Sequence, residues 1–334
     1  MNSKLRIGII GTGFVGEKYV KIIHDVPLAE LIAISDTDET KTAILSKRYN
    51  CPAYIDYNHL LSREDIDAVC ICLPEILHKS AAFAAAESGK HILLEKPIST
   101  NYEDAVAIIN ACMKCGVRLM ISHILMFDAR YVKLHEQVSS GQLGNISHIF
   151  MRRQNTVRAA RRFKGNLSFL HYLGIHDLAW MLLYANSNPA TIFARSNAVI
   201  NSELNDLDNM YITIGFENGI VASLFIGWSL PDTTAITMIS RCEIVGSHGM
   251  AVIDSSNAGY DLTLSEGVRY IDTVHWPEFN DRIYGDLQLA ISHFVESTLK
   301  ETPYRVSTEN AVAAVKVADH IFASLEKGVP VDFT

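Results

Sequence analysis

Ile7-Gly8-Ile9-Ile10-Gly11-Thr12-Gly13-Phe14-Val15-Gly16-Glu17-Lys18 decides how this chain is read. An apolar run of single-strand length feeds a Gly-x-Gly-x-x-Gly turn, and residues Gly16–Asp25 beyond it follow a helical pattern. A strand, that turn and a helix in succession form the dinucleotide fingerprint. Its glycines allow the tight turn, the approach of a pyrophosphate to backbone, and close helix packing, while the helix N-terminus favours negative charge. Asp36 follows the second apolar run, Ala29–Ser35, 20 residues after Gly16, where a carboxylate accepts hydrogen bonds from ribose hydroxyls. The same carboxylate repels a 2′-phosphate, and no Arg follows in Thr37-Asp38-Glu39, so NAD is expected rather than NADP. Gly11, Thr12, Gly13, Phe14, Val15, Gly16 and Asp36 are the candidate nucleotide-binding residues of this segment.

Outward from the fingerprint, short apolar runs alternate with helical patterns as far as residue 122: Ala68–Leu73, Lys79–Ser88, His91–Leu94, Glu103–Cys115 and Arg118–Ile121. Such alternation builds βαβ units and a parallel sheet buried on both faces. Gly89 and Gly116 stop helices, and Ser99 or Thr100 is the expected cap of the helix near Tyr102. From Ile146 the pattern changes to β-like stretches separated by short turns, among them Thr191–Val199, Met210–Phe216, Ile220–Trp228, Thr237–Val245, Met250–Asp254 and Tyr260–Leu264. One helical island, Leu167–Tyr184, interrupts them, and helices near Gly285–Lys300 and Thr308–Lys327 close the chain. The expected fold is α/β: a Rossmann domain over 1–122, then an α+β domain over 123–334 with a large, mainly antiparallel sheet. The C-terminal helix is a candidate to pack back on the first domain.

A length of 334 residues suits two domains, and 49% hydrophobic with 20% charged residues excludes a disordered chain. A net charge of -8 gives no footprint for a phosphate backbone or an anionic membrane, so neither nucleic acid nor membrane is an expected partner. No run of 18 apolar residues occurs, and Met1–Arg6 leads straight into a strand without a signal-peptide pattern, pointing to a cytoplasmic protein. Six cysteines are too sparse for a disulfide scaffold. Cys70 and Cys72 share a face of an apolar run, and Cys112-x-x-Cys115 lacks a second pair at zinc spacing, so no metal is expected.

Chemistry-bearing residues gather at the carboxyl ends of the parallel runs, where ligands of open α/β sheets bind. Ala68–Leu73 ends in Leu73-Pro74-Glu75, with His78 at the next helix start, and His91–Leu94 ends in Glu95-Lys96-Pro97. Leu73, Pro74, Glu75, His78, Glu95 and Lys96 join the candidate cofactor-binding set.

At this point the chain resembles the Gfo/Idh/MocA oxidoreductases, typified by glucose-fructose oxidoreductase and inositol dehydrogenase. The likeness rests on the fingerprint, on Ala68-Val69-Cys70-Ile71-Cys72-Leu73-Pro74, and on Ser88-Gly89-Lys90-His91-Ile92-Leu93-Leu94-Glu95-Lys96-Pro97-Ile98. Downstream it extends to Ser139-Ser140-Gly141-Gln142-Leu143-Gly144-Asn145-Ile146 and to Gly174-Ile175-His176-Asp177. It implies that Lys96 and His176 face the substrate beside the nicotinamide. The family helix usually reads D-x-G-x-H, whereas Tyr172 stands at the Asp position here, a candidate proton relay without a carboxylate's charge. Met126 replaces an Arg common in the family; His123 and His171 are further polar candidates. Arg152, Arg153, Arg158, Arg161, Arg162 and Lys164 form a basic run that is either solvated or a site for an anionic part of a substrate.

The implied reaction moves a hydride between nicotinamide and a carbinol carbon of a sugar, cyclitol or sugar derivative. His176 would take the hydroxyl proton and Lys96 would stabilise the oxygen. An imidazole, with a reference pKa of about 6.5, suits a base near neutrality better than a lysine at about 10.4. A non-catalytic NAD- or sugar-sensing protein on the same scaffold is the alternative, and a biliverdin reductase-like or dihydrodiol dehydrogenase-like activity changes only the substrate. Ile220–Trp228 is apolar on both alternating sets, so a homodimer or homotetramer through the second-domain sheet is expected, with Leu224 or Phe225 on the interface face.

Overall fold

The structure is a computed structural model and describes residues 4–163, 168–204, 207–234, 238–255, 260–265 and 267–333. Strands β1 (Leu5–Ile10), β2 (Ala29–Ser35), β3 (Ala53–Tyr54), β4 (Ala68–Ile71), β5 (His91–Glu95) and β6 (Leu119–Ser122) alternate with helices. These are α1 (Phe14–Asp25), α2 (Glu39–Tyr49), α3 (Tyr57–Leu61), α4 (His78–Glu87) and α5 (Tyr102–Cys115). All six strands run parallel in the order β3-β2-β1-β4-β5-β6. The order reverses between β1 and β4, which leaves a crevice at their carboxyl ends. Ile7, Ile9, Val69, Cys70, Ile92, Leu93 and Met120 are wholly buried, as strands covered on both faces require.

Helix ends follow local chemistry. Asp38 caps α2 by accepting from the Lys41 amide, and α5 stops at Gly116 in the left-handed region (φ 67°). The α5 cap is Asn101 rather than the expected Ser99 or Thr100, because its side chain reaches the Asp104 amide at 2.8 Å.

The chain continues through α6 (Ala129–Ser139), β7 (Ile146–Thr156), α7 (Val157–Phe163), α8 (Ile175–Ala185), β8 (Pro189–Asn197), β9 (Asn209–Phe216), β10 (Val221–Leu230), β11 (Met238–Gly246) and β12 (Gly249–Asp254). It then forms β13 (Asp261–Leu264), β14 (Gly267–Tyr270), β15 (Glu278–Phe279), β16 (Arg282–Ile283), α9 (Asp286–Leu299), α10 (Thr308–Lys327) and β17 (Val331–Asp332). The large sheet has the order β12-β11-β7-β10-β9-β8-β17. Its neighbours are antiparallel except β7 and β10, which run parallel, so the sheet is mixed but mainly antiparallel. The exception arises because α7, α8, β8 and β9 intervene and bring the chain back in the direction of β7. Tyr260–Leu264 lies outside that sheet, in a hairpin with β14.

Two units result. The first comprises Met1–Asp128 and Val274–Val312, the second Ala129–Thr273 and Ala313–Thr334. Where the sequence offered a single break after residue 122, the hairpin β15–β16 and α9 return to the nucleotide unit. All six cysteines are free, with Cys112 buried and Cys115 exposed. Among the described residues no helix is long and apolar enough to cross a membrane.

Candidate active site

The glycine turn is held by backbone. Gly11 has φ +90°, and a Cβ there would stand 2.6 Å from the Cys72 carbonyl oxygen; one on Gly16 would stand 2.0 Å from the Gly11 carbonyl oxygen. Neither position accepts a larger residue without moving main chain. A Cβ on Gly13 would meet nothing within 4 Å, and Gly13, the N-cap of α1, brings no side-chain oxygen to the helix start. A helix start with a glycine cap beside open space leaves room for a pyrophosphate. Asp36 lies alongside, its Oδ2 accepting from the Thr12 amide (2.5 Å) and hydroxyl (3.0 Å) and its Oδ1 from the Asp38 amide (3.0 Å). Partial burial would raise its pKa, but the hydrogen bonds from Asp38 and Thr12 and the charge of Lys41 outweigh it and hold it below the ordinary value. This carboxylate stays ionised with lone pairs to spare. The residues present therefore fit a nicotinamide dinucleotide.

Lys96, at the end of β5, is the cation around which the neighbouring groups are arranged. Burial drives His123 down to about 3, and the Lys96 ammonium adds to that shift, so this imidazole is neutral. Burial raises Glu75 and Glu95, while Lys96 pulls both back. Glu95 also accepts from the Tyr19 hydroxyl of α1 at 2.6 Å, and that hydroxyl lies 2.6 Å from Ser122 Oγ on β6. Glu95 thus ties the fingerprint helix to two strand ends. His78 is buried, with its ring nitrogens 2.8 Å from the Pro97 carbonyl oxygen and 3.0 Å from that of Leu73. It braces the turns after β4 and β5 from beneath, rather than lying open as a surface residue. Leu73 and Glu75 are half-buried and Pro74 is exposed. The fold gathers Leu73, Pro74, Glu75, His78, Glu95, Lys96 and His123 at the ends of β4, β5 and β6, and it buries Met126.

In the second unit, His176 opens α8 behind a π-helical turn over Leu170–Gly174 that carries Tyr172. Such wide turns are frequent at functional sites. Gly174 makes the packing possible: a Cβ there would lie 2.6 Å from Ile226 Cδ1 on β10. His176 is 8% exposed, Tyr172 is half-buried, and His171 packs its ring 5.4 Å from Phe322.

Asp177, next in sequence to His176, meets Arg153 of β7 in a two-pronged ion pair, 2.7 Å to Nε and 3.0 Å to Nη2. Burial works against the guanidinium charge, yet Asp177 and Tyr131 more than restore it. Sequence reasoning missed this pair. The cue was an Asp in the first turn of the helix, where the macrodipole favours an anion. The basic run is not one patch. Arg153 is spent inside the unit, Arg152 bonds Gln154 and lies over Phe225, Arg161 pairs with Asp232 at 2.6 Å, and Lys164 lies outside the described residues.

Comparisons with known proteins bear on the family and the fold. Residues 5–123 match the family model described as "Oxidoreductase family, NAD-binding Rossmann fold", and residues 131–252 match the C-terminal domain model of the same family. The uncharacterised oxidoreductase YrbE of Bacillus subtilis is 28% identical, covering 99% of this chain and 97% of its own. Myo-inositol 2-dehydrogenase of Thermotoga maritima is 24% identical over 97% of both chains. The crystal structure of Lactobacillus casei scyllo-inositol dehydrogenase with bound NAD(H) and scyllo-inositol shares the fold, with a TM-score of 0.86, 19% identity and 99% coverage of each chain. The chain belongs to the Gfo/Idh/MocA family of NAD-binding oxidoreductases.

Proposed function

We propose that the protein is an NAD-dependent dehydrogenase acting on a hydroxyl-bearing ring carbon of a cyclitol, sugar or sugar derivative. The observation that carries this reading is the Lys96 ammonium set among Glu75, Glu95 and a neutral His123 at the strand ends beside the glycine turn. Inositol dehydrogenases among the relatives support the substrate class. Bound nicotinamide supplies the hydride acceptor. Gly11–Gly16 backbone holds the pyrophosphate, and Asp36 accepts from the ribose hydroxyls. His176 takes the substrate hydroxyl proton on its imidazole, and Lys96 Nζ donates a hydrogen bond to the oxygen as charge develops. Tyr172 serves as a relay that donates and accepts a proton.

Absorbance at 340 nm on mixing the protein, NAD and a panel of inositols, sugars and polyols tests the proposal; a rise with at least one of them is expected. Tyr172 in place of the family's Asp favours one second reading, a non-catalytic NAD or sugar sensor. Tight NADH binding with no turnover on the whole panel would select it.

Asp36 sets cofactor choice. Its replacement by Ala should weaken NADH binding by about 1.5–3 kcal/mol, the scale of hydrogen bonds to a charged group, and narrow the gap to NADPH. Calorimetric titration checks this, and tighter NADPH binding to the unmodified protein would refute it.

The chain is further expected to assemble as a homodimer or homotetramer through the outer face of the large sheet. Leu224 and Ile226 face inward beneath Gly174, while Tyr211 (60% exposed) and Phe225 stack at 4.3 Å on the opposite face. Phe225→Asp should release subunits, whereas Leu224→Asp should damage the core. Sedimentation of the unmodified protein as a monomer at micromolar concentration would contradict the assembly. Six free thiols fit a reducing, cytoplasmic setting.

A further inference from the structure

The hairpin β15–β16 belongs to the nucleotide unit and lies along α1, the helix that opens from the glycine turn. Lys21 on α1 pairs with Glu278 and stands 3.6 Å from Asp281. The strand entering the hairpin is pinned from below. The first amides of α9, those of Asp286 and Leu287, donate to the carbonyls of Val274 and His275 at 3.1 Å, and the Tyr284 amide donates to that of Pro277 at 2.9 Å. Gly285 permits this approach, since a Cβ there would stand 2.1 Å from the Val274 carbonyl oxygen. The His275 ring is buried and its Nδ1 lies 2.8 Å from Asp286 Oδ2, with the Asp128 carboxylate in the same cluster, whose polar atoms lie within 4.8 Å of one another.

Trp276 is the residue this scaffold presents. Its indole is half-buried and meets Phe14 edge-to-face, with centroids 6.4 Å apart and planes at 82°. Phe14 begins α1 inside the glycine turn and is 50% exposed. Lys18 Nζ sits 4.8 Å from the Phe14 ring and 5.7 Å from that of Trp276. Two partly exposed aromatic rings and an ammonium therefore stand beside the start of α1. An ammonium suits a pyrophosphate, and flat apolar faces suit the sugar and ring portions of a dinucleotide.

We propose that Trp276 is a cofactor-binding residue: with Phe14 it walls the dinucleotide at the start of α1, Lys18 adds charge toward the pyrophosphate, and the His275–Asp286 pin positions the indole. This rests on the nucleotide lying at the Gly11–Gly16 turn, as argued above.

Trp180 and Trp228 are buried, so Trp276 is the tryptophan that a small quencher reaches among the three in the chain. In the unmodified protein, saturating NAD should at least halve acrylamide quenching of tryptophan emission; an unchanged quenching constant would overturn the proposal. In calorimetric titrations with NADH, Trp276→Ala should bind roughly five- to twentyfold more weakly and Trp276→Phe within about threefold of the parent, as a lost aromatic and cation–π wall implies. Asp286→Asn should leave Trp276 in place chemically but raise its quenching in the NAD-bound state. If Trp276→Ala binds NADH as the parent does while Asp36→Ala binds poorly, the indole is no contact and the turn keeps its role. If neither substitution matters, the nucleotide lies elsewhere and both assignments fall.

Discussion

Turnover of the His176→Ala protein should fall by about 10²–10⁴ while NADH affinity barely changes, the range for loss of a positioned acid-base group and roughly 3–5.5 kcal/mol of barrier. Lys96→Ala should also cut turnover strongly. The double variant should lose less than the sum, because two groups acting on one oxygen function as a unit. Tyr172→Phe then isolates the relay: a small effect means the proton leaves the imidazole without the phenol. Steady-state rates on a verified substrate check all three, and a His176→Ala rate equal to the parent's would remove the base assignment.

Arg153→Ala should destabilise the second unit by about 3–5 kcal/mol, because the Asp177 carboxylate is then left buried without its cation. For a unit of this size that corresponds to a fall of about 6–20 °C in its melting temperature. Replacing the pair together, as Arg153→Met with Asp177→Leu, should recover most of the loss, since no lone charge remains. Differential scanning calorimetry separates these outcomes, and a drop below about 1 kcal/mol for Arg153→Ala would show that water reaches the pair. The consequence for catalysis follows from position: Asp177 fixes the first turn of α8 to β7, and His176 is its neighbour in that turn.

The glycine turn, Asp36 and the carboxyl-end motifs were legible because each is a local pattern: a strand period, a breaker and a helix start within a few residues. Antiparallel neighbours such as β9–β10 and β11–β12 were legible for the same reason, through their short turns. What local patterns do not encode is partnership across long stretches of chain. The parallel match of β10 with β7 pairs Leu224 with Met151, far apart in sequence, and no turn announces it. Arg153 read as one of a basic run because its partner lies 24 residues away on a different element. The alternation in Ile220–Trp228 showed two apolar sets, but only the close passage of Gly174 over Ile226 shows which set is covered. Trp276 gave no signal at all, since its meaning comes from Phe14, at the far end of the chain.

The nucleotide unit is interrupted in sequence, since its last pieces, the β15–β16 hairpin and α9, arrive only after the whole of β7–β14 has been made. On the ribosome, residues 1–128 therefore wait for roughly 180 further residues, about 10–40 s at ordinary rates of synthesis, before Arg118 can meet the carbonyls of Ser297 and Thr302. During that interval α1 has β1 and β2 to pack on but lacks its later neighbours, α9 and the β15–β16 hairpin. Completion of the cofactor half is thus timed by the synthesis of Val274–Val312 rather than by that of residues 1–128, and a chain stopped before Val274 would carry the glycine turn without the elements that complete its unit.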